Sequence, residues 1–349
     1  MNPAAAFGTR EDPHAQARWA RQQPLLLHSL SCFREIFELI YAHRVISTVV
    51  EVGAESGQMS TLYAELGATS VYCVDPAPNQ TLRTAVAGND ALHLVERPSP
   101  DVLPELPPAD LYVLDGDHNY ATVRPELTWV LEHAPDAVIV LHDLLWPWSR
   151  RDLYYEPSRL TSEDRHPSSP DGPTIWHDEL TPAGFVGLGA FTCSEEAGGE
   201  RNGVLTAVED ALAAAGADWW LVLVPAIFGL GVVVRDEGGS HPLLEALRPY
   251  TDSRLLAMLE NNRLALYTRV LQLQYEAVAH AADADALANT IAAQRHELDR
   301  LTEQAGLAQR QQAEIVRLNK ENEQLKKAIA ERPAGAIDLL KSLSARRRR

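Results

Sequence analysis

Cysteine is scarce in this sequence: Cys32, Cys73 and Cys193 are the 3 in 349 residues. They are too few and too scattered for a disulfide framework or a zinc cluster, so buried reduced thiols are expected. Positive charge is short as well, since 31 Lys and Arg against 48 Asp and Glu leave a formal net charge of −17. Affinity for a phosphate backbone comes from Lys and Arg displacing counterions, so nucleic acid is disfavoured as the main partner. A polar small molecule or a metal stays open. A long hydrophobic run is also missing. The longest uncharged stretch, Trp219 to Val234, is broken by Pro225, Gly229 and Gly231, and it falls short of the roughly 18 residues that suggest a membrane span. The opening MNPAAAFGTREDPHAQ carries acids and no apolar stretch, so it does not read as a signal peptide. Hydrophobic residues at 46% and charged residues at 23% argue against wholesale disorder. A soluble, cytoplasmic protein is expected, with one large domain and an extension, at about 150 residues per domain.

Periodicity divides the chain. Residues 1–24 read as a flexible arm. From Leu25 to His43, apolar residues recur at helical spacing (Leu30, Phe33, Ile36, Phe37, Ile40), which predicts an amphipathic helix. Short β-branched runs follow: STVVEVGAESG, SVYCVDPAPN, ALHLVERPS, DLYVLDGDHNY and AVIVLHDLLW. Helix-length stretches at 58–66, 80–87 and 121–134 lie between them, which predicts βαβ units and a parallel sheet covered on both faces. After Asp143 the regularity stops, and residues 144–203 read as a lid insertion holding Trp146, Trp148, Tyr154, Tyr155, Trp176 and the cluster Arg150, Arg151 and Asp152. A helix at 206–216 and the runs DWWLVLVPA and FGLGVVVR, close enough to form a hairpin, complete a domain over residues 25–240. Residues 241–282 read as a helical connector.

From 283 to 332, Leu287, Ile291, Leu298 and Leu301 keep a 4-3 rhythm, and Ile315, Leu318, Leu325 and Ile329 keep another in a shifted frame. This predicts a coiled coil with a register change across Gln304–Gln312, and Asn322 at an a position favours two parallel strands. A homo-oligomer is the expected assembly, and a solvated single helix is the alternative. Pro333 and Gly335 stop the pattern, and the 333–349 tail ends in Arg346–Arg349, either solvated or a binding patch.

Four elements of the sequence carry chemistry. The loop Glu51-Val52-Gly53-Ala54-Glu55-Ser56-Gly57 follows a strand and opens a helix. Its glycines permit a tight turn and close approach to a ligand, and the helix N-terminus offers free N–H groups. Asp75 ends the next strand, where a carboxylate accepts ribose hydroxyls or serves as a cap or turn residue. The third and fourth elements of the pattern are Asp115-Gly116-Asp117-His118 and His142-Asp143, at the ends of two further strands. Neighbouring strand ends lie about 5 Å apart, so Asp115, His142 and Asp143 can converge on one divalent cation, Mg²⁺ first and Mn²⁺ second given the imidazole. Asp117 reads as the cap of the next helix. His142 is alternatively a neutral histidine on a backbone carbonyl, and His118 alternatively structural.

On these residues the chain resembles the class I S-adenosylmethionine-dependent methyltransferases, over about residues 25–236. The expected fold is α/β: a Rossmann-like, seven-stranded, mostly parallel sheet with one antiparallel hairpin strand, plus the C-terminal helical coiled coil. Glu51, Gly53 and Gly57 match the family's ExGxxxG loop, Ser60 and Thr61 continue it, and Asp75 matches the ribose-binding acid. The pattern is similar to the metal-dependent sugar O-methyltransferases of antibiotic pathways, in the branch with a D-G-x-H motif. That resemblance implies S-adenosylmethionine on Glu51, Gly53, Gly57, Ser60, Asp75 and Asp115. It implies a divalent metal on Asp115, His142 and Asp143, and His118 as general base. The implied acceptor is a hydroxyl of a sugar or glycosylated natural product. His142 departs from the Glu, Asp or Asn usual there. Trp146, Arg151, Tyr154 and Tyr155 are the expected acceptor contacts; the lid aromatics are alternatively the lid's own core. Two other functions compete: the same fold acting on an amine, and a coiled-coil assembly protein with a vestigial domain.

Overall fold

The structure is a computed structural model and describes residues 9–10, 12–22, 29–331, 335, 338–339 and 341–342. Helix α1 (Ala15–Gln22) lies within the region expected as a flexible arm. The helix expected from Leu25 is shorter: its start lies outside the described residues, Leu30–Phe33 is a 3-10 turn, and α2 is Arg34–His43. Ser29 starts the turn by accepting from Ser31 N–H, and Ile36, Phe37 and Ile40 then face inward.

The β-branched runs all form strands: β1 (Thr48–Val52), β2 (Ser70–Val74), β3 (Leu92–Val95), β4 (Leu111–Leu114) and β5 (Val138–Leu141). Helices α3 (Gln58–Leu66), α4 (Gln80–Ala87) and α5 (Tyr120–His133) connect them. The lid contains short strands, β6 (Leu153–Tyr155), β7 (Ser168–Ser169), β8 (Gly172–Thr174), β9 (His177–Thr181) and β10 (Phe191–Ser194). These pair in two small sheets, so the segment has more regular structure than its sequence predicts. Helix α6 (Val204–Ala214), strands β11 (Trp219–Val224) and β12 (Leu230–Arg235), and helix α7 (His241–Thr251) follow.

The main sheet runs β11-β12-β5-β4-β1-β2-β3. Strands β1 to β5 pair in parallel, and β12 is antiparallel to both β5 and β11. Side chains alternate between faces along each strand. On one face Val49, Val71, Val113, Val140 and Val232 pack with α2, α3 and α7; on the other Val50, Tyr112, Ile139 and Val233 pack with α5, α6 and the lid. Both faces are dry, which explains the unbroken apolar runs. Every parallel strand points its C-terminal end to one edge, so β1, β2, β4 and β5 deliver Gly53, Asp75, Asp115 and Asp143 together.

The expected connector is divided between α7 and the start of helix α8 (Arg254–Ala330), which runs unbroken through the coiled-coil segment and the register change. The chain divides into two units, Met1–Glu276 and Ala277–Arg349. In the first, Glu260, Leu264 and Thr268 of this helix are buried. In the second, Leu287, Ile291, Leu298, Leu301, Ile315, Leu318, Leu325 and Ile329 are all exposed. Arg346–Arg349 lie outside the described residues. Cys73 and Cys193 are buried as expected, whereas Cys32 is exposed, because it occupies the outer side of the 3-10 turn. No helix among the described residues is long and apolar enough to cross a membrane.

Candidate functional site

The glycine loop is set by backbone crowding. Gly53 has φ 87°, and a Cβ there would stand 2.2 Å from the Asp115 carbonyl oxygen. The close approach demanding this glycine is therefore to the end of β4, in addition to any ligand. Gly57 starts α3 at φ 74°, where a Cβ would press on Ala85 at 2.9 Å. Glu51 is only 2% exposed and accepts from the Ser60 hydroxyl beneath the loop. Burial pushes its carboxyl up to about 8, against the opposing Ser60 hydrogen bond. Asp75 is half-buried, and its Oδ1 accepts from Ala77 N–H at 2.8 Å. That bond closes a turn at the strand end; Asn79 caps α4 instead.

The cluster on β4 and β5 is the densest group of titratable side chains at this edge. His142 is fully enclosed, with Nδ1 3.2 Å from Asp115 Oδ1 and 3.9 Å from Asp143 Oδ1. Its Nε2 lies 2.8 Å from the Ile227 carbonyl oxygen, so that nitrogen carries a proton and Nδ1 faces the carboxylates. Burial pulls the imidazolium down, but Asp143 and Asp115 outweigh it and push its pKa up to about 9. His142 thus touches a backbone carbonyl and also faces the two acids, whose charge favours the protonated ring over the neutral one. His118 Nδ1 lies 3.1 Å from Asp143 Oδ2. Among the described residues nothing hydrogen-bonds its Nε2. Asp143 itself sits at φ 60°, a conformation uncommon for residues other than glycine.

The donor set fits a divalent cation. Ligand atoms of Asp115, His142 and Asp143 lie within 4.8 Å of one another. Asp143 Oδ1 is buried and has no hydrogen-bond partner among the described residues. A buried carboxylate oxygen without a donor is costly, and a cation or an imidazolium removes that cost. Asp117 is not the helix cap: Asn119 accepts from Thr122 N–H at 2.9 Å, and Asp117 receives only the Thr122 hydroxyl at 3.4 Å.

The lid corrects two expected acceptor contacts. Arg151 is buried and donates to the Ser194 and Glu195 carbonyls, so its guanidinium ties β10 down. Tyr154 is buried, donating to Asp152 at 2.9 Å and accepting from His166 N–H at 2.9 Å. The other charged groups of the cluster are also committed. Arg150 pairs with Glu209 at 2.7 Å, and Asp152 accepts from Tyr120 N–H, Gly203 N–H and the Tyr154 hydroxyl. Tyr155, on the opposite side of the same strand, is exposed with its ring centroid 6.0 Å from that of His118. Trp146 packs edge-on against Phe185 at 5.5 Å. Sequence reasoning missed Asp152 as an anchor and Glu260 altogether. Period-2 alternation, which puts Tyr154 inward when Tyr155 is outward, was a signal available for the former pair.

Residues 50–144 match the model of a family described as a methyltransferase domain. That stretch runs from β1 through Asp143 and so contains the glycine loop, Asp75 and the acid–histidine cluster. No curated protein matches the chain. Among solved structures, it is similar to cofactor-bound Rv0187 from MTB, at 17% identity over 68% of this chain and 92% of that one, TM-score 0.38. It is similar to the methyltransferase PaMTH1 of Podospora anserina bound to SAH, at 16% identity over 63% and 86%, TM-score 0.38. An O-methyltransferase from Bacillus cereus in complex with SAH has 12% identity over 63% and 88%, TM-score 0.38. The sheet order is the one expected from the sequence, and the segment over residues 50–144 is similar to a methyltransferase domain.

Proposed function

We propose that the protein transfers the methyl group of S-adenosylmethionine to a hydroxyl of a sugar or glycosylated natural product. The observation that carries this reading is the His118–Asp143–Asp115–His142 cluster, with its unpartnered Asp143 oxygen at the cofactor edge of the sheet. The loop at 51–57 and Asp75 hold the cofactor, with Glu51 and Ser60 supporting the loop from below. Asp115, Asp143 and His142 would hold a divalent cation, Mg²⁺ or Mn²⁺. Such an ion lowers the pKa of a neighbouring hydroxyl and orients vicinal oxygens. His118 donates Nδ1–H to Asp143 and offers Nε2 to the acceptor hydroxyl. As the acceptor oxygen bonds the methyl carbon, the carbon–sulfur bond breaks, the proton passes to His118, and S-adenosylhomocysteine leaves. Tyr155 and Trp146 line the acceptor side, where an aromatic face suits a sugar ring. Most of the rate comes from positioning. The protein works in the cytoplasm, where its three thiols stay reduced.

The test is a panel of sugar and glycosylated acceptors with labelled cofactor, with and without Mg²⁺ or Mn²⁺. EDTA is expected to remove turnover, and His118→Ala to lower kcat about 10²- to 10⁴-fold while calorimetry still shows cofactor binding. Full turnover in EDTA overturns the metal; full turnover by His118→Ala overturns the base. The 283–332 segment takes a second copy of the chain, because an exposed apolar seam with Asn322 at an a position suits a parallel pair. Sedimentation of Leu298→Lys is expected to show a shift toward monomer, and an unchanged assembly would refute the seam.

A further inference from the structure

We infer that Glu260, on α8, is a positioning residue that holds His142 in place through the β11–β12 turn. This rests on the reading of His142 as part of the reaction centre. The turn is unusual in its backbone. Ile227, Phe228 and Gly229 take φ of 48°, 64° and 88° in succession. A β-branched residue in the left-handed region is costly and persists only where its surroundings impose it.

Glu260 imposes it from the side. It is 5% exposed, and its Oε1 accepts from Phe228 N–H at 2.9 Å. Arg263, one turn along α8, donates to both carboxylate oxygens at 2.7 Å and lies with Cζ 4.4 Å over the Phe228 ring. Burial alone would raise the Glu260 carboxyl, but Arg263 and Phe228 N–H hold it below its usual value. It therefore stays charged. From the other side, Leu145 N–H donates to the Phe228 carbonyl at 2.6 Å. Between these two grips the Ile227 carbonyl is aimed at His142 Nε2, 2.8 Å away. That contact turns Nδ1 toward Asp115 and Asp143. Groups that orient a ligand through its second nitrogen commonly matter about 10- to 100-fold.

The chain of contacts is helix carboxylate, turn amide, turn carbonyl, imidazole. Glu260 never touches the reacting atoms, so its effect must travel through His142. Phe228 and Tyr267 extend the same packing to the lid, since both meet the Phe185 ring edge-on, at 5.7 and 4.9 Å.

The test uses the full-length protein labelled with ¹⁵N-histidine, free of metal and acceptor. The His142 Nε2–H proton, bonded to Ile227 and buried, is expected as a low-field, slowly exchanging signal that disappears in His142→Gln. In Glu260→Ala it exchanges about tenfold faster or broadens away. In the same variant kcat falls about 10- to 100-fold with KM for the cofactor unchanged. Glu260→Gln, which keeps an oxygen for Phe228 N–H, restores most of the signal and of kcat. Arg263→Met, which leaves the carboxylate in place without its guanidinium, moves the signal in the same direction by less, and serves if Glu260→Ala does not fold. A wild-type His142 signal in whichever of these two variants folds overturns the inference. The signal is read without turnover, so loss of the proposed methyl acceptor leaves this result standing.

Discussion

Asp143 and Asp152 are both buried aspartates on the same domain, 6% and 1% exposed, and they do opposite things. Asp152 receives three donors: the Tyr120 and Gly203 amides at 2.8 and 2.7 Å, and the Tyr154 hydroxyl at 2.9 Å. It clamps both ends of the lid to the start of α5. Asp143 faces two imidazoles and leaves Oδ1 unpartnered. A carboxylate whose donors match its burial is a scaffold group. One whose donors fall short, beside other acids, keeps capacity for a cation or a moving proton. Glu126 marks the limit of that rule. It is also buried with an unpartnered oxygen, but it pairs with no cation among the described residues, and burial pushes its carboxyl up to about 8. It escapes the cost by holding its proton.

Three substitutions separate these cases. Asp143→Asn is expected to lower kcat about 10²-fold or more, with the melting temperature unchanged or raised, because one of two crowded acids is neutralised. Turnover at the wild-type rate would break the contrast. Asp152→Ala strands three buried donors at roughly 1 kcal/mol each, which lowers the melting temperature by about 6–12 °C. Cofactor affinity, read by calorimetry, is expected to hold; a lost affinity with an intact melt would reverse the assignments of the two aspartates. Glu126→Gln has an effect visible only against pH. The folded pKa of about 8 lies above the unfolded value of 4.5, so the wild type loses stability as pH rises from the unfolded to the folded value. Glutamine does not titrate. The variant therefore gains on the wild type between pH 5 and pH 8, by on the order of 10 °C; a gap that stays constant with pH would show that Glu126 is ionised in the fold.

Legibility followed sequence distance. The strands that carry the site were readable because Val49–Val52, Leu111–Leu114 and Val138–Leu141 are apolar on both faces, and helices of readable length lie between them. Convergence of Asp115, His142 and Asp143 followed from adjacent parallel strand ends. The lid was unreadable for the converse reason. Arg151 and Asp152 look alike to any charged pair in an irregular segment, and only partners about 40 to 50 residues away, Ser194, Glu195 and Gly203, commit them to the lid backbone. Asp117 lost its expected capping role to Asn119, two residues further on, because the helix begins at Tyr120 and the residue directly before it is the one whose side chain reaches the free N–H groups.

The sequence by itself determined the βαβ order, the glycine at Gly53, the acids at the strand ends and the apolar seam of α8. Each of these is local: hydrophobic period, backbone freedom or spacing within one element. The tertiary structure decided which charges are satisfied. It gave Asp152 its three donors, left Asp143 one short, turned Tyr154 inward and Tyr155 toward His118, and brought Glu260 to a turn more than thirty residues earlier. Hydrogen bonds act only over about 3 Å, so the role of a buried polar group is set by what folding places beside it.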